Sequence, residues 1–246
     1  MKIAAVSYIN TLPFLYGLEN YDSINNIEIE TYIPSICAEK LINNEVDLGL
    51  IPVAIIPKLN EYYIISDYCI GAKNKVDSVF LFSDVPLNKI ENIILDYQSQ
   101  SSNNLTKILS KKYWKIKPNF ISAHKDYQSE ISENTAGVII GNRALEVKNK
   151  YKYSYDLAYE WFKFTGKQFV FALWVSNKKL DQNFIAKFNN ALKFGTNNID
   201  KLKNNTEYLT NTEFKSYLTK NIDYNFDSSK KESLKLFLNY LSEIQS

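Results

Sequence analysis

The sequence predicts an α/β protein of two lobes, with a cleft between the lobes and a helical C-terminal tail. Strand-like and helix-like segments alternate along most of the chain, which is typical of parallel or mixed sheets. The alternation restarts after Pro86, and beyond Asn177 only helical periodicity is left. We therefore expect one lobe from residues 1–85 plus 176–246 and a second lobe from residues 86–175.

The first lobe begins as strand, helix and strand. Residues 2–8 predict a short buried strand, and Pro13 suits the first turn of a helix. The run 27–34 alternates isoleucine and threonine with polar residues, which predicts a strand with one buried face. Ser35 is suited to cap a helix that continues to about Asn44. Further strands are expected at 46–53, 62–70 and 76–83.

The second lobe repeats the alternation. We expect, in order, a strand at 92–96, a helix at 101–114, strands at 117–122 and 136–141, a helix from Asn142 and a long strand at 169–175. Three amphipathic helices are expected in the tail, where the Lys- and Asn-rich region 178–231 is interpreted as a solvated surface rather than a site. A ligand is expected between the lobes, because open α/β sheets bind ligands at the carboxyl ends of their strands.

Charge and cysteine content exclude several kinds of site. The 29 basic and 27 acidic residues are spread along the chain, so no basic face is available to follow a nucleic acid backbone. Arg143 is the only arginine, so the bidentate contacts that usually hold carboxylates are scarce. Cys37 and Cys69 lie in apolar segments and are interpreted as buried free thiols. No motif requires a metal or an organic cofactor.

The N-terminal stretch MKIAAVSYINTLPF has one lysine and an apolar run that ends at Ser7, and matches neither a signal peptide nor a membrane span. We therefore expect a cytoplasmic protein that binds a small-molecule substrate and has no nucleic acid or membrane partner. The oligomeric state is not indicated.

The stretch LDYQSQSSNN, residues 95–104, is rich in hydroxyl and amide groups and has no positive charge. If a helix begins near Ser101, backbone N–H groups face outward from its first turn, and the helix dipole adds about half a positive charge there. Together with the hydroxyl groups of Ser99, Ser101 and Ser102, these donors can hold a carboxylate without a cation. An ordinary serine-rich helix cap explains the same residues and is the commoner case.

Two more turns of similar kind follow predicted strands, at Asn10-Thr11 and at Gly141-Asn142. In a two-lobed protein these turns and the serine turn can meet in one cleft. Ser78 is a further candidate, although a lone serine at the start of a strand is usually structural.

Six blocks resemble, in order, the family of chorismate dehydratases of the futalosine route to menaquinone. The blocks are VSYINTLPF (6–14), EVDLGLIPV (45–53), IGAKNKVDSVFLFS (70–83), LDYQSQSSNNL (95–105), GVIIGNRAL (137–145) and DLAYEWFKFTGKQFVFALW (156–174). The resemblance covers about the first 175 residues and is weak over the tail. It implies a type II periplasmic-binding-protein-like fold, used by a cytoplasmic enzyme that converts chorismate to 3-(1-carboxyvinyloxy)benzoate and water.

The resemblance also implies roles for individual residues. Asn10 matches the asparagine of the first family motif and is the expected catalytic residue. Gln100 stands where the family commonly has arginine, and Asn142 stands where it often has aspartate. The expected substrate-binding residues are Tyr8, Thr11, Ser78, Ser99, Gln100, Ser101, Ser102, Gly141 and Asn142.

The expected reaction removes the ring hydroxyl group and a neighbouring hydrogen of chorismate, and aromatisation of the ring drives it. Hydrogen bonds that strengthen as charge spreads onto the ring carboxylate lower the barrier. The matched blocks contain no histidine, and His124 is interpreted as structural. We hypothesise that the enolpyruvyl carboxylate of the substrate itself takes the proton while Asn10 orients the reacting groups. Four nearby acids are interpreted as solvated or capping residues: Glu45, Asp47, Asp77 and Asp96.

Other functions stay open. The sibling 1,4-dihydroxy-6-naphthoate synthase resembles this family in fold, but VSYINT and the serine turn match the dehydratase better, and the sibling's histidine-bearing site has no counterpart in the matched blocks. A non-catalytic carboxylate-binding protein has the same fold, and a turnover assay separates it from an enzyme. A scaffold role finds support only in the 18 tyrosines, which a biased composition also explains.

Overall fold

The computed structural model describes residues 1–22, 24 and 26–245, and within them the strands form two sheets. The strands are β1 Lys2–Val6, β2 Glu28–Tyr32, β3 Leu48–Pro52, β4 Tyr63–Ala72, β5 Val79–Ser83, β6 Asn92–Leu95, β7 Asn119–Ser122, β8 Thr135–Ile140, β9 Tyr153–Asp156, β10 Phe169–Ser176 and β11 Asp223–Asn225. The α-helices are α1 Leu12–Asn20, α2 Pro34–Ile42, α3 Gln100–Leu109, α4 Gly141–Val147, α5 Leu157–Thr165, α6 Gln182–Asn197, α7 Asn211–Ser216 and α8 Ser228–Gln245.

The first sheet has the strand order β11-β4-β10-β3-β1-β2. β1 pairs in parallel with β2 and β3, while β10 runs antiparallel to β3 and β4. β3 and β10 lie in the middle of the sheet and every residue of both is buried, which explains why their sequences are almost continuously apolar. β2 lies at the edge of the sheet, and its residues are exposed or only partly buried, whereas its alternating pattern predicts one buried face.

The second sheet has the order β7-β6-β8-β5-β9. β6 is parallel to β7 and β8, and β5 is antiparallel to β8 and β9. The chain passes between the sheets twice, between β4 and β5 and again through α5 between β9 and β10. The expected lobe boundaries at 85/86 and 175/176 therefore need correction for two strands. β5 belongs to the second sheet, where it pairs with β8 and β9, and β10 belongs to the first sheet, where it pairs with β3 and β4.

The predicted α/β architecture with two sheets is confirmed, and three local expectations need correction. α2 begins at Pro34 with no side-chain cap, and the N–H group of Ser35 donates instead to the backbone oxygen of Gln98 at 3.0 Å. β9 and α5 occupy a stretch for which no element was predicted. The tail contains β11 in addition to helices.

The two cysteines are buried free thiols, as expected. None of the described helices combines the length and the apolar character that a membrane span requires.

Candidate active site

A cavity of about 470 Å³, including the space open to solvent at its mouth, lies where turns of the two sheets meet. Six of the predicted site residues line it: Tyr8, Asn10, Ser78, Ser99, Ser102 and Gly141. The other lining residues are apolar: Val6, Pro34, Pro52, Ile70, Val76, Val79, Ile140, Phe171 and Ala172.

The predicted serine turn is both a helix cap and part of the cavity wall. α3 begins at Gln100, and the Ser99 hydroxyl oxygen accepts the N–H group of Ser102 at 3.3 Å. The Ser99 and Ser102 hydroxyl oxygens are 3.1 Å apart. Because both residues line the cavity, their hydroxyl groups are placed to meet a ligand while they also begin the helix.

The other four predicted residues lie outside the cavity lining. Ser101 donates its hydroxyl to the backbone oxygen of Phe171 at 3.0 Å and accepts the N–H group of Ala54 at 3.3 Å, so it joins α3 to the first sheet instead of facing the cavity. Gln100 is exposed. Asn142 accepts the N–H group of Ile9 at 3.2 Å and therefore also connects the two sheets.

Asn10 is held on two sides. It lies in a short 3-10 turn directly after β1 and is buried. Thr11, the remaining predicted residue outside the lining, donates its hydroxyl to the Asn10 side-chain oxygen at 3.2 Å. Tyr224 of β11 donates its hydroxyl to the Asn10 backbone oxygen at 3.0 Å. Such contacts fix the orientation of the amide before a ligand arrives.

A second tyrosine of the tail, Tyr217, forms a hydrogen bond with Ser78. The Tyr217 hydroxyl donates to the Ser78 hydroxyl oxygen at 2.8 Å, and both residues are buried. The Ser78 backbone oxygen accepts the N–H group of Gly141 at 2.8 Å, which connects β5 to the start of α4. The expectation that region 178–231 is only a solvated surface is therefore wrong at Tyr217 and Tyr224.

A sequence signal for this part of the site was present in the run NIDYNF, residues 221–226, before α8. Ile222, Tyr224 and Phe226 alternate with polar residues, which is the two-residue period of a strand with one buried face, and all three are buried. Nothing comparable marks Tyr217, which follows a short helix in a polar stretch.

Tyr8 crosses from the end of β1 to the second sheet. Its ring packs on Gly141, where an added Cβ would lie 2.6 Å from a ring carbon and where the backbone has a φ of +64°, so only glycine fits. The Tyr8 hydroxyl donates to the side-chain oxygen of Gln98. Burial raises the pKa of Tyr8 far above its usual value, so the hydroxyl group stays protonated.

The only arginine, Arg143, forms an ion pair close to the cavity. Arg143 Nη2 lies 2.9 and 2.7 Å from the two carboxylate oxygens of Asp96, which is almost fully buried. Tyr127 donates its hydroxyl to the same carboxylate at 2.9 Å, and the N–H group of Gln98 donates at 2.7 Å. Burial raises the pKa of Asp96, and the guanidinium group opposes that rise. Asp96 and Arg143 are far apart in the chain, so no sequence pattern indicates this ion pair.

Among the described residues that line the cavity there is no Asp, Glu, His, Lys or Arg. His124 is exposed and pairs with Glu130 at 2.7 Å, as expected for a residue outside the site. Trp161 and Trp174 are fully buried in the core. The polar groups that reach the cavity are neutral hydroxyl, amide and backbone groups, so the site suits a ligand that accepts several hydrogen bonds, such as a carboxylate.

Comparisons with known proteins agree with this architecture. A protein-family model described as menaquinone biosynthesis matches residues 1–243. A crystal structure from Archaeoglobus fulgidus has 14% identity and a TM-score of 0.68, with 99% of this chain and 97% of that chain covered. An ABC transporter protein from Parabacteroides distasonis has 15% identity and a TM-score of 0.66, with 99% and 92% covered.

A Candida albicans protein described as having the generic periplasmic binding protein fold has 14% identity and a TM-score of 0.62, with 99% and 93% covered. At these identities the similar structures show the fold alone. The fold is therefore of the periplasmic-binding-protein type, as the sequence resemblance implied.

Proposed function

The chain belongs to a family of menaquinone-biosynthesis proteins, and from this premise we propose that it is a chorismate dehydratase. The proposed reaction eliminates water from chorismate to give 3-(1-carboxyvinyloxy)benzoate. In this proposal the enzyme works in the cytoplasm on a small molecule, without a metal, an organic cofactor or a nucleic acid or membrane partner.

The observation that carries the proposal is a cavity whose polar groups are all neutral and lie around Asn10. Chorismate has two carboxylates, which Ser78, Ser99 and Ser102 can hold by hydroxyl donation. The C–H bond at the ring carbon that bears the enol ether breaks and its proton passes to the substrate carboxylate, while charge spreads onto the ring carboxylate. The C–O bond of the ring hydroxyl then breaks as the ring becomes aromatic, and the carboxylate returns the proton to the leaving hydroxide, which gives water. Neutral donors already in place stabilise that charge more strongly in the transition state than in the ground state.

The proton acceptor in this proposal is the enolpyruvyl carboxylate of the substrate. It is supported by the lack of an ionisable acid or histidine among the lining residues. Asn10 has a side-chain oxygen that already accepts from Thr11, which leaves its NH₂ group to orient the reacting part of the substrate. The four acids near the motifs have other partners or are remote: Asp47 pairs with Lys178, Glu45 with Lys40, Asp77 with Lys148 and Asp96 with Arg143.

Two alternatives keep specific support. The family description does not distinguish the dehydratase from the sibling 1,4-dihydroxy-6-naphthoate synthase. A non-catalytic carboxylate-binding protein is supported by the fold, which it shares with the ABC transporter protein named above.

The test is incubation of the purified protein with chorismate, followed by ultraviolet spectroscopy and mass analysis of products. The wild type is expected to form the enolpyruvyl-oxybenzoate, and Asn10→Ala is expected to lower kcat by about 100-fold or more, which is the usual cost of removing one transition-state donor. Asn197→Ala, which changes an exposed asparagine of α6, is the control. Calorimetric binding of chorismate without turnover would instead support a binding protein.

A further inference from the structure

We propose that Tyr217 is a positioning residue that orients the Ser78 hydroxyl group toward a substrate carboxylate. The inference rests on the proposed function, because it takes the ligand of the cavity to be a carboxylate.

The contact between the two hydroxyl groups is short and enclosed. Tyr217 begins a single helical turn, Tyr217–Asn221, that follows α7, and the residue is 4% exposed. Ser78 is 1% exposed and lines the cavity. The two oxygens are 2.8 Å apart, which is the usual length of a good O–H···O hydrogen bond.

The direction of this hydrogen bond determines where the Ser78 proton goes. The Tyr217 hydroxyl donates to the Ser78 oxygen, and burial raises the pKa of Tyr217, so the phenol keeps the proton that it donates. Ser78 then accepts at its oxygen and has its own proton free. Within the described residues the Ser78 hydroxyl has no other side-chain or backbone partner, so its proton is available to a group in the cavity. A hydroxyl that accepts one hydrogen bond is also a stronger donor in the next.

The tail contacts both residues that carry the proposed chemistry. Asn10 and Ser78 both line the cavity, and each accepts a hydrogen bond from a buried tyrosine of the tail: Tyr224 donates to the Asn10 backbone oxygen and Tyr217 to the Ser78 hydroxyl oxygen. Asn10 follows β1 of the first sheet, whereas Ser78 immediately precedes β5 of the second. Tyrosines of the tail therefore contact a polar residue next to each sheet, and Tyr217 is the one whose hydroxyl reaches a side chain that lines the cavity.

The experiment is a double-mutant cycle on chorismate turnover with Tyr217→Phe, Ser78→Ala and the double variant. Tyr217→Phe keeps the buried ring and is expected to lower kcat/KM about tenfold, as for one hydrogen bond to a charged ligand. If Tyr217 acts through Ser78, the same change has little further effect in the Ser78→Ala background. Tyr151→Phe is the control, because it removes a hydroxyl that donates to a backbone oxygen, that of Gln128, away from the cavity.

The outcomes separate the two proposals. A wild type that does not turn over chorismate overturns the proposed function and this inference with it. An active wild type with Tyr217→Phe equal to Tyr151→Phe, or with fully additive losses in the double variant, overturns this inference alone. If Tyr217→Phe fails to fold, Ser78→Ala with wild-type kcat/KM overturns it, since Tyr217 would then have nothing to act through.

Discussion

Asp156 illustrates at the residue scale how one carboxylate fixes the geometry near the site. It accepts the N–H group of Asp77 at 2.8 Å, and it caps α5 by accepting the N–H groups of Ala158 and Tyr159 at 3.0 and 3.1 Å. Asp77 has a left-handed backbone with a φ of +62° and directly precedes Ser78. The chain passes between the sheets before β5 and again through α5. Asp156 therefore holds these two connections together where they meet the second sheet.

This carboxylate gives a pH-dependent stability that can be measured. Burial raises the pKa of Asp156 to about 6, with a smaller contribution from the charge of Asp77. Between about pH 4 and pH 6 the folded protein therefore binds a proton that the unfolded chain does not, so stability from this group is present at low pH and is lost as the pH rises through 6. Relative to Asp156→Asn, the wild type is expected to lose about 1 kcal/mol of unfolding free energy between pH 5 and pH 7.5.

Urea unfolding of both proteins at the two pH values provides the measurement, and the difference between them cancels the effect of groups they share. A difference that stays constant, or that grows toward pH 7.5, would contradict the raised pKa.

Sequence reasoning at the residue scale predicted neutral hydrogen-bond donors at the site but not the direction of each side chain. A single arginine among many lysines already suggested a site of neutral donors, and the lining of the cavity agrees with this. Successive helical residues point about 100° apart, so Ser101 faces the first sheet while Ser99 and Ser102 line the cavity. Residue type alone does not distinguish the members of such a run.

At the scale of elements, the packing of α1 on α6 depends on two glycines. A Cβ at Gly195 would lie 1.8 Å from the backbone oxygen of Pro13, and one at Gly17 would lie 2.0 Å from the backbone oxygen of Ala191. Both contacts are to backbone, which cannot rotate away, so the two helices approach as closely as their backbones allow. α6 also contacts β4, so this close approach holds the tail against the first sheet.

Gly195→Ala is therefore expected to destabilise the protein, although alanine favours helices more than glycine does. Overpacking of this kind typically costs about 1–3 kcal/mol or more, and thermal or urea unfolding measures it directly. Asn197→Ala, on the exposed side of the same helix, is the control and is expected to change the unfolding free energy by less than about 0.5 kcal/mol. Equal stability of the two variants would mean that the helices separate without cost.

The elements that sequence reasoning found are those with long apolar patterns, such as β3, β5, β8 and β10. It missed β9, whose four residues are mostly polar or tyrosine, and β11, which has only three residues. Short strands of this kind form because a neighbouring strand offers free backbone groups, as β4 does for β11, and a sequence window does not contain that neighbour.

For the whole molecule, the two sheets are joined across the cavity by polar contacts that meet at Gln98. Its backbone oxygen accepts the N–H group of Ser35, and its side-chain oxygen accepts the Tyr8 hydroxyl, so two parts of the first lobe are held by one residue of the second. Ser101 adds contacts to β10 and to the turn after β3. Sequence reasoning predicted a cleft from the fold class, but these contacts depend on the relative placement of the sheets.

We expect the two lobes to open and close around the cavity and the Gln98 side chain to stabilise the closed arrangement. Gln98→Ala removes the acceptor of the Tyr8 hydroxyl and leaves the backbone contact with Ser35, so the protein should fold but close less favourably. Because a closed state that is less populated weakens apparent affinity in proportion, KM for chorismate is expected to rise about fivefold with a smaller change in kcat.

Small-angle X-ray scattering of the ligand-free variant should show a larger radius of gyration than the wild type, and addition of chorismate should reduce the difference. Gln182→Ala, an exposed glutamine at the start of α6, is the matched control. An unchanged KM together with an unchanged radius of gyration would show that Gln98 does not contribute to closure.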